Sequence, residues 1–581
     1  MLSFVDSFPE THPLVRAKRR AGRLKRFIKR KWWERNIAKQ YRAWLEDSRN
    51  RPVGSTDNAV PISIIVPVFN PPPRFLDECL TSVLAQTARN WQLIVSDDGS
   101  TDPDVRQLLD EFTREHADDP RITVIRGENG GISAAENRAL EQVSHRYFGW
   151  LDHDDQLNPR AVELMSETIH ESPHRPQVVY SDEDKIDSKG QHFELYCKPD
   201  FSPELLLTQM YLCHFTVFDT ELTRSVGGFR SEMDGAQDFD LALRLLPQLA
   251  NVQHIAHPLY HWRAWSESTA SSIDAKPWAQ QAAARAQRDY LDRSGGGSVT
   301  PSSIPGLNEV HPNIAGRPRV SVIIPTIGTI SPITGTSFVQ DAIRTLREAE
   351  STIQLEFVVV TTGELAAIPG SDRQVIYQPE GSFNFAEAIN LGRSHATGEY
   401  LLLLNDDVTA SQPDPVLRML EIAQRPGVGA VGAKLTYPDG RLQHVGIVVL
   451  PSGPTHVNIS KPGNFPGYFG STLTPRNYSA VTAAAMLTAA AAFDAVQGFD
   501  TTFARDFNDV DYCLRLREAG YRVAWTPYAH LTHHEGASIV RKAADPAELA
   551  EFQRRWATQF SCDPLYSRAL SPQFERIYEA L

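Results

Sequence analysis

The feature that most constrains this chain is an apolar run that ends in a cluster of acids and occurs twice. FGWLDHDDQLNP places Asp152, Asp154 and Asp155 directly after apolar residues, and YLLLLNDDVTA repeats the arrangement from Asn405 onward. Neighbouring carboxylates repel one another and raise each other's pKa, so such a cluster is costly at a strand end unless it holds something. Two copies of it predict two related folding units.

Strands alternate with helices around each cluster. PISIIVPVFN, WQLIVSDDGSTD, RITVIRG and YFGWLDHDD are typical of buried strands, and stretches with helical spacing separate them. This alternation predicts an open, mostly parallel α/β sheet whose ligands lie beyond the carboxyl ends of the strands. The pattern restarts at VSVIIPTIG, and GAQDFDLALRL and LYHWRAWSESTA return as DFNDVDYCLRL and LTHHEGASI. We therefore predict an internal duplication.

The length of 581 residues is too great for one hydrophobic core. A stretch rich in Gly, Pro and Ser separates the two copies and is typical of a linker. The sequence predicts five parts: a basic amphipathic helical extension (1–56), a first α/β domain (57–293), a linker (294–317), a second α/β domain (318–545) and a C-terminal helical tail (546–581).

Positive charge is concentrated near the N-terminus. Thirteen Lys or Arg and a single acid lie between Pro13 and Arg42, although the whole chain has a net charge of −13. Apolar and aromatic residues alternate with these bases, which predicts an amphipathic helix (13–45) on an anionic membrane surface. A solvated helix packed on the first domain is the alternative. The acidic remainder argues against nucleic acid as a partner.

The rest of the composition indicates a cytoplasmic protein. Five cysteines are scattered without C-x-x-C pairs, which excludes a zinc ribbon and gives no disulfide framework. The start lacks the basic-then-apolar order of a secretory signal, and the longest apolar run is too short to cross a bilayer. We expect a protein peripheral to the cytoplasmic face of the inner membrane.

Several acids are candidates for chemistry. Asp152 and Asp154 are able to share a hard divalent cation, Mg²⁺ or Mn²⁺, that would screen a diphosphate; the alternative is an acidic turn that caps the following helix. Asp97 follows the second strand, where it either contacts a nucleotide or forms an Asp-Gly turn. Asp238 at a helix start is a helix cap or a general base. His261 is a further metal ligand or an ordinary surface histidine.

The ordered landmarks IIVPVFNPP, SDDGSTD, NGGISAAENRAL, LDHDD, YSDEDKID and QDFDLALRL resemble family 2 glycosyltransferases with a GT-A fold. LLLLNDDV and the following segments resemble the bacterial rhamnosyltransferase-like branch. The resemblance implies two tandem Rossmann-like domains that transfer a sugar, with inversion and a divalent metal, from UDP-, dTDP- or GDP-linked donors. It implies general bases at Asp238 and Asp509, metal ligands at Asp152, Asp154, His261, Asp407 and His533, and nucleotide-sugar contacts at Pro67, Phe69, Asp97, Asn137, Asp152, Pro325, Asn390 and Asp406.

The second copy departs from the family pattern in two places. Thr361 and Thr362 stand where the family has a carboxylate, and Asn405 replaces the first acid of the D-x-D. We expect a bifunctional enzyme that builds a bacterial surface glycan of the O-antigen, capsule or lipopolysaccharide type, acting on a glycan or lipid-linked glycan acceptor. A chondroitin- or hyaluronan-type polymerase and a silent, glycan-binding second copy are the alternatives. A nucleotidyltransferase is disfavoured because no basic Gly-rich signature follows the first strand.

Overall fold

The structure, a computed structural model, describes residues 60–265, 277–302, 304, 306–363, 366–379, 381–535, 544–560, 563–567 and 570. The predicted basic extension and the end of the predicted C-terminal tail lie outside these ranges. Within them, no helix combines the length and the apolar character that a membrane crossing requires.

The first half forms a nine-stranded sheet in the order β3-β2-β1-β4-β8-β6-β9-β5, with β7 added beside β6. Strands β3, β2, β1 and β4 pair in parallel, as do β6 and β9, whereas β8 and β5 run antiparallel to their neighbours. Its strands are β1 Ile62–Val68, β2 Trp91–Asp97, β3 Ile122–Arg126, β4 Tyr147–Trp150, β5 Gln156–Leu157, β6 Val178–Ile186, β7 His192–Tyr196, β8 Thr216–Asp219 and β9 Val252–Arg263. Its helices are Pro73–Leu84, Pro103–Glu115, Ile132–Glu141, Ala161–Glu171, Pro203–Leu206, Thr220–Ser225, Gln237–Leu245 and Pro277–Arg293.

A short antiparallel hairpin follows, where a linker was predicted: β10 Gly297–Pro301 pairs with β11 Asn308–Pro312. Val299 and Val310 lie opposite each other and are buried in the cluster that includes Leu291 of the preceding helix. This cross-strand valine pair therefore packs the Gly- and Pro-rich segment against the preceding helix. Polar contacts tie its second strand to both halves, through Asn308 to Gln287 and through His311 to Glu421.

The second half repeats eight strands of the first sheet in the same order, β14-β13-β12-β15-β22-β17-β23-β16, and adds β18 beside β17 and β21 beside β23. Parallel and antiparallel pairs fall at the same positions as in the first sheet, which confirms the predicted duplication. The strands are β12 Arg319–Thr326, β13 Gln354–Thr361, β14 Arg373–Ile376, β15 Tyr400–Leu404, β16 Val408–Ala410, β17 Val428–Thr436, β18 Leu442–His444, β19 Ile447–Leu450, β20 Gly453–His456, β21 Arg476–Asn477, β22 Ala485–Ala489 and β23 Arg522–His533. The helices are Phe338–Ala349, Phe385–His395, Pro415–Ala423, Ala490–Ala495, Asn508–Glu518 and Pro546–Arg555.

The central strands are buried on both faces. All seven residues of β1 are buried, and β12 is buried after its first residue. Continuous apolar strands are what a parallel sheet covered by helices requires, because neither face meets water. Because helices cover both faces of the sheet, polar side chains lie mainly at the carboxyl ends of the strands.

The two halves are packed together by the segment that leads out of β7. Tyr468 accepts a hydrogen bond from the backbone of Cys197, and the Ser202 hydroxyl donates to Asn477. Glu204 is fully buried and bonds to Arg425 and Arg522 of the second half, at 3.2 and 2.9 Å. A buried carboxylate is stable only when it is paired, so this contact fixes the interface.

Candidate functional site

The acid cluster of the first half follows β4 at the carboxyl edge of the sheet. Asp155 is buried and accepts hydrogen bonds from the Tyr260 hydroxyl and the Arg263 backbone. Burial, followed by the charges of Asp154 and Asp152, raises its pKa well above the ordinary value. Asp155 is thus a structural anchor, whereas Asp152 and Asp154 are partly exposed.

His214 lies beside Asp152 and was not identified from the sequence. Its Nε2 is 3.9 Å from an Asp152 carboxylate oxygen, and its Nδ1 is 3.6 Å from Glu183. Burial works against protonation, but the interaction with Glu183 and the charges of the nearby carboxylates outweigh it and raise the pKa of His214 to about 9. A cationic imidazole therefore offsets part of the negative charge of the cluster. No short-range sequence pattern signals this contact.

The third residue of each triplet, Asp154 in 152–154 and Asp407 in 405–407, contacts a different ring in the two halves. In the first half the Trp265 indole donates to the Asp154 carboxylate at 2.7 Å. In the second half His533 Nε2 lies 3.1 Å from Asp407. An indole N–H only donates, whereas an imidazole is also a metal ligand. The two D-x-D sites therefore have different donor sets.

His261 and His533 differ in their contacts. His261 Nδ1 lies 2.6 Å from Asp184, on the neighbouring strand β6. In the sheet His261 is opposite Gln156, two residues after Asp154, whereas His533 is opposite Val408, one residue after Asp407. A one-residue step turns a side chain to the other face of a strand. The two histidines therefore stand at different register positions, and the metal role expected of His261 stays a prediction.

Asp238 and Asp509 occupy matching positions, second in their helices. Each accepts a hydrogen bond from the next backbone N–H, at 2.7 Å from Phe239 and 2.9 Å from Val510. Asp509 also accepts from Ala483 at 3.1 Å. Burial is the main cause of a raised pKa at Asp238, and the charge of Asp152 adds to it.

The ends of the second strands differ as the sequence indicated. Asp97 is buried and accepts from the Ser100 backbone, and its positional counterpart Thr361 is buried and donates to the Gly363 carbonyl. The neighbouring Asp98 accepts from the backbone of Gly130 and Gly131 and pairs with Arg138. The second half thus has no carboxylate at the position of Asp97.

Other nucleotide-sugar candidates lie along the first strands and the following helices. The Pro67 carbonyl contacts His153, and Phe69 is 45% exposed. Pro325 matches Pro67 in the sheet register, and the adjacent Thr326 hydroxyl donates to Asp406.

Asn137 and Asn390 form the same pair of bonds, each bridging to the backbone of Phe229 or Phe499. With the carbonyl oxygen and one N–H occupied in this way, both amides have a clear structural role. A nucleotide contact at either one stays a prediction.

Glu136 is a buried acid that the sequence did not single out. It is fully buried, and neither carboxyl oxygen has a hydrogen-bond partner among the described residues. Burial, then the charges of Asp152 and Asp238, raise its pKa well above the ordinary value. The corresponding residue of the second half is Ile389, so this acid is specific to the first site.

The donor sets fit a hard divalent cation. The partly exposed Asp152 and Asp154 would supply the oxygen ligands that such a cation prefers. Asp407 with His533 supplies an oxygen and a nitrogen, a combination that Mn²⁺ accepts.

Comparisons with known proteins identify the family of the chain. The model of "Glycosyl transferase family 2" matches residues 63–227 and 321–460. "Uncharacterized protein y4gI" of Sinorhizobium fredii is 39% identical over 539 residues, covering 88% of the chain and 57% of that protein. "O-antigen biosynthesis protein RfbC" of Myxococcus xanthus is 32% identical over 548 residues, covering 89% and 41%. A hyaluronan synthase of Pasteurella multocida is 30% identical over 207 residues, covering 35% and 20%. The chain spans about half the length of the first two relatives.

Proposed function

The chain belongs to glycosyl transferase family 2 and is a glycosyltransferase, and from that premise we propose that it is an inverting, metal-dependent enzyme with two active sites. Each site transfers a sugar from a nucleotide-diphosphate donor to a hydroxyl of a bacterial surface glycan. The observation that carries the proposal is the repeated pair of an acid cluster and a helix-start aspartate, Asp154 with Asp238 and Asp407 with Asp509. We assign the sites to domains spanning 57–293 and 318–545.

The proposed reaction divides between the two acidic groups. Asp152 with Asp154, and Asp407 with His533, would hold Mn²⁺ or Mg²⁺, which when bound neutralises the diphosphate as it leaves. Asp238 and Asp509 accept the proton of the acceptor hydroxyl as its oxygen attacks the sugar carbon. Burial around Asp238 raises its pKa, which makes it a stronger base than an exposed aspartate. Asp97 contacts the nucleotide in the first site.

The glycan product is proposed from the relatives. The Myxococcus protein is named for O-antigen biosynthesis, and its similarity covers 89% of this chain. The alternative of a two-sugar polymerase has the similarity to the hyaluronan synthase in its favour, but that similarity covers 35% of this chain. A surface polysaccharide of the O-antigen type is therefore the preferred product.

Replacing Asp407 with Asn should weaken Mn²⁺ binding at the second site by at least about 10- to 100-fold, because the site loses a charged ligand and even an outer-shell partner is worth that much. Mn²⁺ titration followed by electron paramagnetic resonance measures the loss. Turnover of the first site's donor should stay unchanged. Asp439→Asn, at an exposed acid of the same half, is the matched control. Unaltered Mn²⁺ binding in the Asp407 variant would rule out its role as a ligand.

We further propose that residues 13–45 bind the anionic cytoplasmic face of the inner membrane. The support is the sequence, since thirteen basic residues between Pro13 and Arg42 are each worth about 1 kcal/mol near such a surface. Deletion of residues 1–50 should lower partitioning onto phosphatidylglycerol vesicles by at least about tenfold. Sedimentation with neutral phosphatidylcholine vesicles is the control. Equal partitioning of the two forms would remove the membrane role.

A further inference from the structure

Three side chains of the first sheet converge away from the D-x-D site. Asp184 on β6 is fully buried, and its two carboxylate oxygens contact His261 Nδ1 on β9 at 2.6 Å and His192 Nδ1 on β7 at 2.8 Å. One ligand atom from each residue lies within 4.8 Å of the others, which no other trio of His, Cys, Asp or Glu achieves in the described part of the chain.

The charge at this cluster suits a cation. One oxygen of the buried Asp184 faces His261 Nδ1 and the other faces His192 Nδ1. A buried carboxylate flanked by two imidazoles is a donor set of mixed oxygen and nitrogen ligands.

His261 has an unsatisfied atom that hydrogen bonding within the described residues does not explain. Its side chain is 3% exposed, and its Nε2 has no hydrogen-bond partner among those residues. His254 shows what a purely structural histidine does here: its two nitrogens bond to Asp200 and Asp182, both at 2.9 Å. Nδ1 of His261, which faces Asp184, is the nitrogen that would bind an ion beside that carboxylate.

We propose that Asp184, His192 and His261 hold a divalent cation of the zinc class, separate from the cation of the D-x-D site. Zinc ligands stand about 2.0–2.2 Å from the metal, so tetrahedral neighbours are about 3.4 Å apart. The present contacts of 2.6 and 2.8 Å open to that separation with shifts under about 1 Å. The side chain of His192 is 17% exposed, so this side of the cluster reaches solvent.

The cation would hold strand β6, and with it the residues that contact the D-x-D of the first site, in position. It joins strands β6, β7 and β9, and Glu183 is the residue next to Asp184. Glu183 pairs with Lys198 and contacts His214, which in turn faces Asp152. Fixing β6 at this point fixes the network that reaches the D-x-D.

Zinc binding by the full-length protein tests the proposal without reference to sugar transfer. Competition with a chromophoric chelator measures the number of Zn²⁺ ions bound and their affinity. The His192→Gln variant should bind one Zn²⁺ fewer than wild type, or should bind that ion at least about 100-fold more weakly. His254→Gln should keep that equivalent, and so should the Asp154→Asn/Asp407→Asn double variant. A His192→Gln protein with wild-type Zn²⁺ stoichiometry and affinity overturns the site.

A second measurement uses the unaltered protein, so it does not depend on the folding of a variant. Modification of histidines by diethyl pyrocarbonate, followed by mass spectrometry, should show His192 protected when Zn²⁺ is present. Replacement of Zn²⁺ by Co²⁺ should add visible absorption bands of a tetrahedral site with nitrogen ligands. Modification of His192 at the same rate with and without Zn²⁺ contradicts the proposal.

Discussion

Asp238→Asn should lower turnover of the first site's donor by about 10²- to 10⁴-fold, and Asp509→Asn should do the same for the second site's donor. The amide keeps the shape of the carboxylate and still accepts the hydrogen bond from Phe239 or Val510. It cannot take up the acceptor's proton. The loss should therefore fall on kcat, while binding of the nucleotide sugar changes little.

The pH dependence of the first site follows from the same group. A general base works only when it is deprotonated, and burial raises the pKa of Asp238 above its ordinary value. Activity of this site should therefore decline, as pH is lowered, at a higher pH than an unperturbed aspartate would give. The residual activity of the Asp238→Asn variant should not show this decline at low pH.

A donor panel of UDP-, dTDP- and GDP-sugars, with Mn²⁺ or Mg²⁺ and the released diphosphate as readout, measures both variants. Each site serves as the control for the other, because the unaltered site should keep its own donor. Full turnover of every donor by Asp238→Asn would refute the assignment of the base. If Asp509→Asn leaves the turnover of every donor unchanged while Asp238→Asn lowers it, the second half is a glycan-binding copy rather than a second enzyme.

Glu204→Gln should destabilise the packing of the two halves by about 3–5 kcal/mol, because two arginines then lose the charge that compensates them in a buried interface. Arg425 and Arg522 hold the pKa of Glu204 at about 2 against the effect of burial. A depressed pKa means that the stabilisation is present above the unfolded pKa of about 4.3 and is lost as pH falls toward 2.

Urea titration followed by tryptophan fluorescence measures this loss of stability. The unfolding transition of the Glu204 variant should occur at a lower urea concentration than that of wild type. Glu221→Gln is the matched control, because Glu221 pairs with Arg224 at the surface and such pairs contribute about 0–1 kcal/mol. The Glu204 variant should approach wild type as pH is lowered toward 2. An unchanged transition at neutral pH would show that the interface does not depend on this ion pair.

The repeated fold was predictable because its signals are local and continuous. Buried strands such as β1 and β12 are uninterrupted apolar runs, and each is followed by turn residues. The hairpin β10–β11 was missed for the opposite reason. Its order depends on Val299 and Val310 packing against a helix, which composition alone does not indicate.

The location of a site residue was predictable only where it follows from the end of a strand or the start of a helix. Asp152, Asp238 and Asp509 follow from strand ends and helix starts. The contacts of His214, His261 and Trp265 depend on which strand lies beside which and on the register between them. Sequence spacing does not reveal a one-residue difference in that register.

The hairpin between the halves bears on how this polypeptide is best divided. Its first strand packs on the last helix of the first half, and its second strand bonds to Glu421 through His311. The two strands end at Pro301 and begin again at Asn308, so a break between these positions would leave each fragment with one strand of the hairpin. Two separately synthesised fragments would thus carry a ready-made recognition edge, and the join becomes the natural place for split-protein complementation.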